Sequence, residues 1–259
     1  MSYIDTHCHL NFSPYHGDLE VVIAHAFEAN VGKLINIGTD LASSKESLNL
    51  AHRYGDIFAA VGLHPHEARL FNDKLQLELE NLARDPKVVA IGEIGLDYFR
   101  NLSTKDAQRV AFIGQLKLAL KLKKPVIIHC RDAYSDILEI LDEVYLSNKS
   151  HSLGVIHSFS SGTNYLQEFL KRGFYIGING MITYPGNQHL VTAVRLCPED
   201  RLLIETDAPY LTPQVYRGKR NEPMYIIEVA KAIAAIKHRS LSEVMHFTTN
   251  NAIALFGLK

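Results

Sequence analysis

Tyr3-Ile4-Asp5-Thr6-His7-Cys8-His9 decides between the two folds open to this chain. Short β-branched runs alternate with longer amphipathic ones along the whole sequence, the pattern of repeated βα units around a parallel sheet. Such a sheet either stays open and doubly wound or closes into a barrel. The open nucleotide-binding form carries a glycine-rich turn after its first strand. Here the first strand ends in His-Cys-His instead. Because side chains alternate along a strand, His7 and His9 share one face, where two imidazoles can grip one ion, and Cys8 points to the other.

Working outward, further apolar runs follow at Lys33 to Gly38, Ile57 to Gly62, Val88 to Gly92, Val126 to His129, Gly154 to His157, Phe174 to Ile178 and Leu202 to Thr206. With Tyr3 to Thr6 they number eight, the count that closes a (β/α)8 TIM barrel. Helical patterns link them at Leu19 to Asn30, Ser43 to Arg53, Asp73 to Arg84, Lys105 to Lys123, Ala133 to Leu146, Asn164 to Arg172 and Gln188 to Leu196. Two extra C-terminal helices are expected at Met224 to Ile236 and Ser242 to Leu255, after a long connection from Ala208 to Pro223. Long loops in compact folds are often functional. No linker or low-complexity tract divides the chain, so residues 1–259 are read as one α/β domain, with the open doubly wound sheet as the runner-up.

A composition of 47% hydrophobic and 21% charged residues supplies a core without staples. The formal charge of −1 removes any bulk electrostatic case for a polyanion or membrane partner, leaving only local patches. Three cysteines, Cys8, Cys130 and Cys197, make no disulfide framework and point to a reducing compartment. Charges interrupt every apolar stretch before membrane-span length, and Met1 to Thr6 lacks a basic leader. A cytoplasmic protein is expected, monomeric and away from membranes.

Five further residues share the placement of His7 and His9 at the ends of apolar runs. Glu93 interrupts Val-Val-Ala-Ile-Gly-Glu-Ile-Gly-Leu-Asp, where a buried carboxylate needs a cationic partner. That partner is either a neighbouring Arg or Lys, or a pair of metal ions bridged by the carboxylate. His129 ends Pro-Val-Ile-Ile-His, and His157 ends Leu-Gly-Val-Ile-His. A lone histidine of this kind is usually a hydrogen-bonded core residue, but two of them beside His7 and His9 suit a metal site. Asp207 follows Arg-Leu-Leu-Ile-Glu-Thr and precedes Ala-Pro, which suits a ligand that also takes a proton, or else a turn aspartate. His64, in Gly-Leu-His-Pro-His with His66, is read as a phosphate or oxyanion partner.

Arg131, beyond His129, reaches the same rim and can fork onto an anionic oxygen. Tyr216-Arg217-Gly218-Lys219-Arg220 concentrates cationic and aromatic side chains in the loop after the eighth strand. That is what a phosphate backbone requires, although a short charge run also marks an ordinary solvated loop. Cys8 and Cys130 should face the helix layer as small hydrophobes. No Gly-x-Ser-x-Gly elbow and no P-loop is present, which removes support for acyl-serine and nucleotide-hydrolysing chemistry of those kinds.

Taken together, Ile4-Asp5-Thr6-His7-Cys8-His9-Leu10, Gly92-Glu93-Ile94-Gly95-Leu96-Asp97-Tyr98, His129-Cys130-Arg131-Asp132-Ala133 and Glu205-Thr206-Asp207-Ala208-Pro209-Tyr210-Leu211 resemble the TatD family of metal-dependent deoxyribonucleases. Gly62-Leu63-His64-Pro65-His66 and Arg217-Gly218-Lys219-Arg220-Asn221-Glu222-Pro223 fit the same pattern, so the likeness runs nearly end to end. The resemblance implies a TIM barrel of the amidohydrolase-like kind with divalent ions at its carboxyl face. It implies that His7, His9 and Asp207 hold one ion, that His129 and His157 hold the other, and that Glu93 bridges them. It further implies action on DNA, removing nucleotides from 3′ ends.

The leading expectation is metal-assisted hydrolysis of phosphodiesters in single-stranded DNA by 3′-5′ exonuclease action, with Asp207 orienting the attacking water or accepting its proton. Two divalent ions are expected, magnesium, manganese or zinc. The alternative keeps the site and changes the bond to a small ester, amide, lactone or aminoacyl ester. A third reading, a non-catalytic metalloprotein in a larger assembly, sits poorly with a full set of ligand types.

Overall fold

The structure is a computed structural model and describes residues 1–144 and 154–258. Eight parallel strands follow one another in sheet order β1 to β8: Tyr3–Cys8, Val31–Ile37, Ile57–Val61, Val88–Asp97, Val126–Arg131, Gly154–Ile156, Tyr175–Ile178 and Leu202–Ile204. Between them run α1 (Leu19–Glu28), α2 (Leu41–Arg53), α3 (Asp73–Ala83), α4 (Lys105–Leu122), α5 (Tyr134–Val144), α6 (Thr163–Lys171) and α7 (Gln188–Leu196). Each lies within a residue or two of the segment expected from hydrophobic period. Tyr145 and Leu146, the end of the fifth expected helix, lie outside the described residues.

The barrel closes where β1 meets β8. Asp207 N donates to His7 O at 2.8 Å, His9 N donates to Ala208 O at 2.8 Å, and Cys8 bridges Ala208 in parallel register. Asp5, fully buried, fastens the same seam. It accepts from Thr206 Oγ1 at 2.5 Å, Thr206 N at 3.0 Å and His7 N at 3.2 Å. Burial pushes its carboxyl up to about 7, against those hydrogen bonds. Asp5→Ala should cost about 3 kcal/mol of stability, since it strands buried donors from both strands. A denaturant midpoint equal to wild type would show that the seam holds without it.

Of the helices after β8, α8 (Ile226–Lys237) completes the eighth βα unit. The other, α9 (Leu241–Phe256), starts in a Ser240–Glu243 capping box and closes the floor of the barrel. Its Ala252 and Phe256, with Leu258, pack on an inner cluster that includes Ile4, Ile35, Ile37, Ala90, Ile127 and Leu203. A second cluster fills the space between strands and helices and takes in Cys8 and Cys130. Both face the helix layer, as alternation requires. All three cysteines are free and buried.

Most strands differ somewhat in length from the sequence reading. β5 runs on to Arg131, so His129 lies within it, and β8 stops at Ile204, three residues before Asp207. The changes in β1 and β4 aim the site. β1 continues through Cys8, and β4 runs ten residues to Asp97, so Glu93 lies within its strand and not at the exit. Both carry one extra residue against a neighbour: Asp5 to Cys8 spans three steps against two on β2, and Ile91 to Ile94 does the same against β5. Such bulges switch the parity of side chains along a strand. Below each bulge the inner face carries Ile4 and Ala90. Above it the same face carries His7 and His9, and Glu93 and Asp97. Gly95, between the last two, has φ +142°, and a Cβ there would lie 2.0 Å from the His129 carbonyl oxygen. Only glycine lets β4 and β5 approach at this level.

Candidate metal centre

The carboxyl-terminal ends of the strands and the turns after them bring every histidine and carboxylate expected from sequence into one largely buried cluster at the carboxyl mouth. His7 Nε2 and His9 Nε2 stand 3.2 Å apart. His9 Nδ1 lies 3.3 Å from the Ile37 carbonyl, which can only accept, so the proton sits on Nδ1 and Nε2 presents its lone pair. Asp207 Oδ1 lies 3.6 Å from His7 Nε2 and 3.5 Å from His9 Nε2. Glu93 Oε2 lies 3.6 and 3.9 Å from the same two nitrogens. Ligands bonded tetrahedrally at the usual N and O distances are spaced by about 3.4 Å, so these four donors fit a divalent ion.

The other oxygen of Glu93 faces a second group. Oε1 stands 2.9 Å from His129 Nδ1, 3.6 Å from His64 Nε2 and 3.8 Å from His157 Nε2. Among the described residues, compact donor groups form from His7, His9 and Asp207, from His64, Glu93 and His129, and from His7, His157 and Glu205, so His157 groups with His7 and His129 with His64. No lysine or arginine is paired with Glu93 among the described residues, so the salt-bridge reading of that buried acid gives way to one in which imidazoles surround it.

Electrostatics follow from this crowding. Burial disfavours charge on Glu93, yet His64, His129 and His7 hold its carboxyl well below the usual range. Asp207 is likewise held low against burial by His9, His157 and His7. Burial and the neighbouring His157 push His7 down, and their rings stack with centroids 3.4 Å apart. His129 and His157 go the other way, to about 9 and about 10: burial opposes them, but Asp97 with Glu93 favours charge on the first and Glu205 on the second. Two anionic carboxylates against a ring of imidazoles is the donor chemistry of a divalent-cation site.

His64, 8% exposed, is pushed well down by burial and is therefore neutral. Its Nδ1 accepts from His66 N at 3.2 Å, which leaves the proton on Nε2, facing the cluster. It can donate to an anionic oxygen there. The His66 ring lies edge-on to that of His64, centroids 4.2 Å apart, and its Nε2 stands 2.9 Å from Asp97 Oδ2.

The cationic residues expected on the rim divide. Arg131 is exposed and lies over the Phe99 ring, 3.9 Å from its centroid. Arg217 is exposed over Tyr184, and Lys219 is exposed near Tyr216. Arg220 is half-buried and already engaged: it pairs with Asp18 at 2.7 Å and with Glu222 at 3.0 Å. Its charge serves the packing of the loop against α1. The loop itself is tied down by Asn221, whose Nδ2 donates to the carbonyls of Thr206 at 2.9 Å and Tyr210 at 2.6 Å. Tyr210 is 54% exposed and edges His9 and Phe12, the latter stacked on the His9 ring.

Sequence reading passed over two buried acids of this cluster, Asp97 and Glu205. A signal existed. Asp97 lies four residues past Glu93 on β4, where strand alternation puts both on one face, and Glu205 stands two residues before Asp207, just past the end of β8.

The profile of the TatD-related DNase family matches residues 4–257. The chain is 39% identical over 252 residues to the uncharacterized metal-dependent hydrolase YabD of Bacillus subtilis (strain 168), covering 97% of this chain and 98% of the relative. It is 38% identical over 261 residues to the 3′-5′ ssDNA/RNA exonuclease TatD of Edwardsiella piscicida, covering 98% and 99%. Among solved structures it is similar to YjjV, a TatD homologue from Escherichia coli K12, with TM-score 0.93, 33% identity and coverage of 99% and 98%.

Proposed function

The chain belongs to the TatD-related DNase family of metal-dependent hydrolases, and from that premise we propose that its site hydrolyses phosphodiester bonds of DNA, releasing nucleotides from the 3′ ends of single strands. The observation that carries this reading is Glu93. Its two oxygens face two different sets of donors, an arrangement that would let one carboxylate serve two divalent ions. His7, His9 and Asp207 would hold one ion. His129 and His157, which both approach Glu93 Oε1, would hold the other, with magnesium, manganese and zinc all compatible with the donors. When bound, such ions polarise phosphoryl oxygens and make water a nucleophile near neutral pH.

The chain's own residues supply the rest. Asp207 Oδ1, at the centre of the imidazole cluster, orients the attacking water and accepts its proton. His64 Nε2–H donates to a non-bridging phosphate oxygen, and Arg131 reaches the next phosphate from the rim. Tyr210, edge-on to His9, and Phe12, stacked on the His9 ring, wall the site there, where the terminal base would rest. Among the described residues no helix is long and apolar enough to cross a membrane.

A polyanion reading makes a prediction at the rim. Replacing Arg131, Arg217 and Lys219 together with alanine should raise KM for an oligonucleotide and leave kcat nearly unchanged. It should also flatten the salt dependence by about 0.7 for each phosphate that is no longer neutralised. Steady-state kinetics between low and physiological salt measure this. An unaltered KM and slope would turn the substrate towards a small ester or amide.

A further inference from the structure

β4 and β5 end together: Asp97 pairs with Arg131, and Tyr98 N donates to Arg131 O at 2.9 Å. The turn after β4 lifts Phe99 into solvent, 58% exposed although it is apolar. That turn is tied at both ends. Asp97 Oδ1 accepts from Arg100 N at 2.8 Å, and Gln108 Nε2 donates to the carbonyls of Asp97 at 3.1 Å and Ser103 at 2.8 Å. Arg131 lays its guanidinium over the Phe99 ring, 3.9 Å from the centroid, and Lys105 holds its ammonium 4.1 Å from the centre of the Tyr98 ring. Neither cation is paired with a carboxylate among the described residues, whereas Arg109, one turn along α4 from Lys105, is shared by Asp136 and Glu139.

A cleft of about 400 Å³ opens beside this rim, lined by Tyr98 and Lys105 and by Asp132, Tyr134, Ser135 and Tyr165. Its volume and aromatic lining are those of a small-molecule site. The Tyr134 and Tyr165 rings stack with centroids 4.9 Å apart, and their hydroxyls pin them: Tyr165 OH stands 2.9 Å from Ser135 Oγ, and Tyr134 OH 3.2 Å from Ser160 Oγ. Tyr134 also packs edge-on against the buried rings of Phe159 and Phe169. The charge of Asp136 is taken up by Arg109 at 3.0 Å and by Tyr98 OH at 2.7 Å. Flat aromatic walls with cations at the edge suit a planar ring that carries an anionic group, as a base with its phosphate does. Asp132 lies three residues past His129, about 10 Å along an extended chain or about three steps of a stacked strand.

We propose that this rim is a second nucleotide subsite: the strand upstream of the scissile phosphate leaves over β4 and β5, stacks one base on the Phe99–Arg131 pair and inserts the next into the tyrosine-lined cleft, with Arg131 and Lys105 against its phosphates. This rests on the nuclease reading above and gives it a direction. The terminal base rests by Phe12 and Tyr210, on the β1 and β8 side of the mouth, and the rest of the strand runs out on the opposite side. An enzyme that shortens a strand step by step must hold every base in turn. Aromatic stacking does so, because each base offers a π face, and arginine adds a cation–π contact.

Two substrates separate the subsite from the chemistry. The 4-nitrophenyl ester of thymidine 5′-phosphate presents a terminal nucleotide without an upstream strand, and a single-stranded hexanucleotide presents both. With the full chain loaded with Mn2+, Phe99→Ala should lower kcat/KM on the hexanucleotide about 5- to 150-fold more than on the ester, the range of one lost base–aromatic stack. Ser135→Trp, which fills the cleft from an exposed position, should shift the same ratio in the same direction, chiefly through KM. Circular dichroism confirms that each variant is folded. Equal losses on the two substrates, or no loss on the hexanucleotide in either folded variant, would overturn the subsite and leave the nuclease reading standing. If the unaltered chain releases nothing from the hexanucleotide, the nuclease reading fails and the subsite falls with it.

Discussion

Glu93→Ala should lower turnover about a thousandfold or more and reduce bound metal below that of the unaltered chain. The magnitude follows from what the residue holds together. One oxygen stands 3.6 Å from His7 Nε2, the other 2.9 Å from His129 Nδ1, and both groups of donors lose their shared member at once. Lewis-acid stabilisation of a phosphoryl transition state is worth several kcal/mol, and a thousandfold corresponds to about 4 kcal/mol on the barrier. The protein should remain folded, because the variant removes a buried acid from a pocket in which no lysine or arginine depends on it among the described residues. Turnover on a labelled oligonucleotide, beside elemental analysis of both proteins, measures the effect. A variant with full metal content and near wild-type rate would remove Glu93 from the site.

Asp207→Asn isolates the proton-transfer role. Asparagine has nearly the same shape and retains an oxygen for a metal, so binding should survive while the capacity to accept a proton is lost. The backbone around Asp207 is fixed independently of its side chain: its N–H donates to His7 O, its carbonyl accepts from Tyr210 N, and φ is +58°, a region asparagine tolerates. A kcat lowered by 10²- to 10⁴-fold with KM little altered is expected, the range of acid-base groups in general. A kcat within a fewfold of wild type would assign the proton to another group.

The barrel was legible in the sequence because each strand is a short β-branched run and each exit carries a polar residue that an apolar run does not otherwise explain. Period and count were enough for that, and the helices followed from their amphipathic spacing. The extra residues in β1 and β4 were not legible. Nothing in Asp5-Thr6-His7-Cys8 or Ile91-Gly92-Glu93-Ile94 announces a bulge, which is a matter of how a strand pairs with its neighbour and not of its own composition. For the same reason Glu93 reads as a strand end when it lies inside one.

Arg220 illustrates a second limit. Next to Arg217 and Lys219 it reads as part of a cationic loop, but its carboxylate partner Asp18 is about two hundred residues earlier in the chain. Local charge patterns do not show where the fold brings the counter-charge. Asp97 and Glu205 were hidden differently, since each lies close in sequence to a stronger candidate, and only the fold shows that they stand beside His129 and His157.

The measurement that tests the central claim most directly starts from metal-stripped protein, to which magnesium, manganese or zinc is returned separately. A 3′-labelled single-stranded oligonucleotide is then followed beside the Glu93→Ala control. Release of label that requires both an added ion and Glu93 is the predicted result. No release with any ion, despite confirmed metal loading, would contradict nuclease action and leave a metal-dependent hydrolase of a smaller ester or amide.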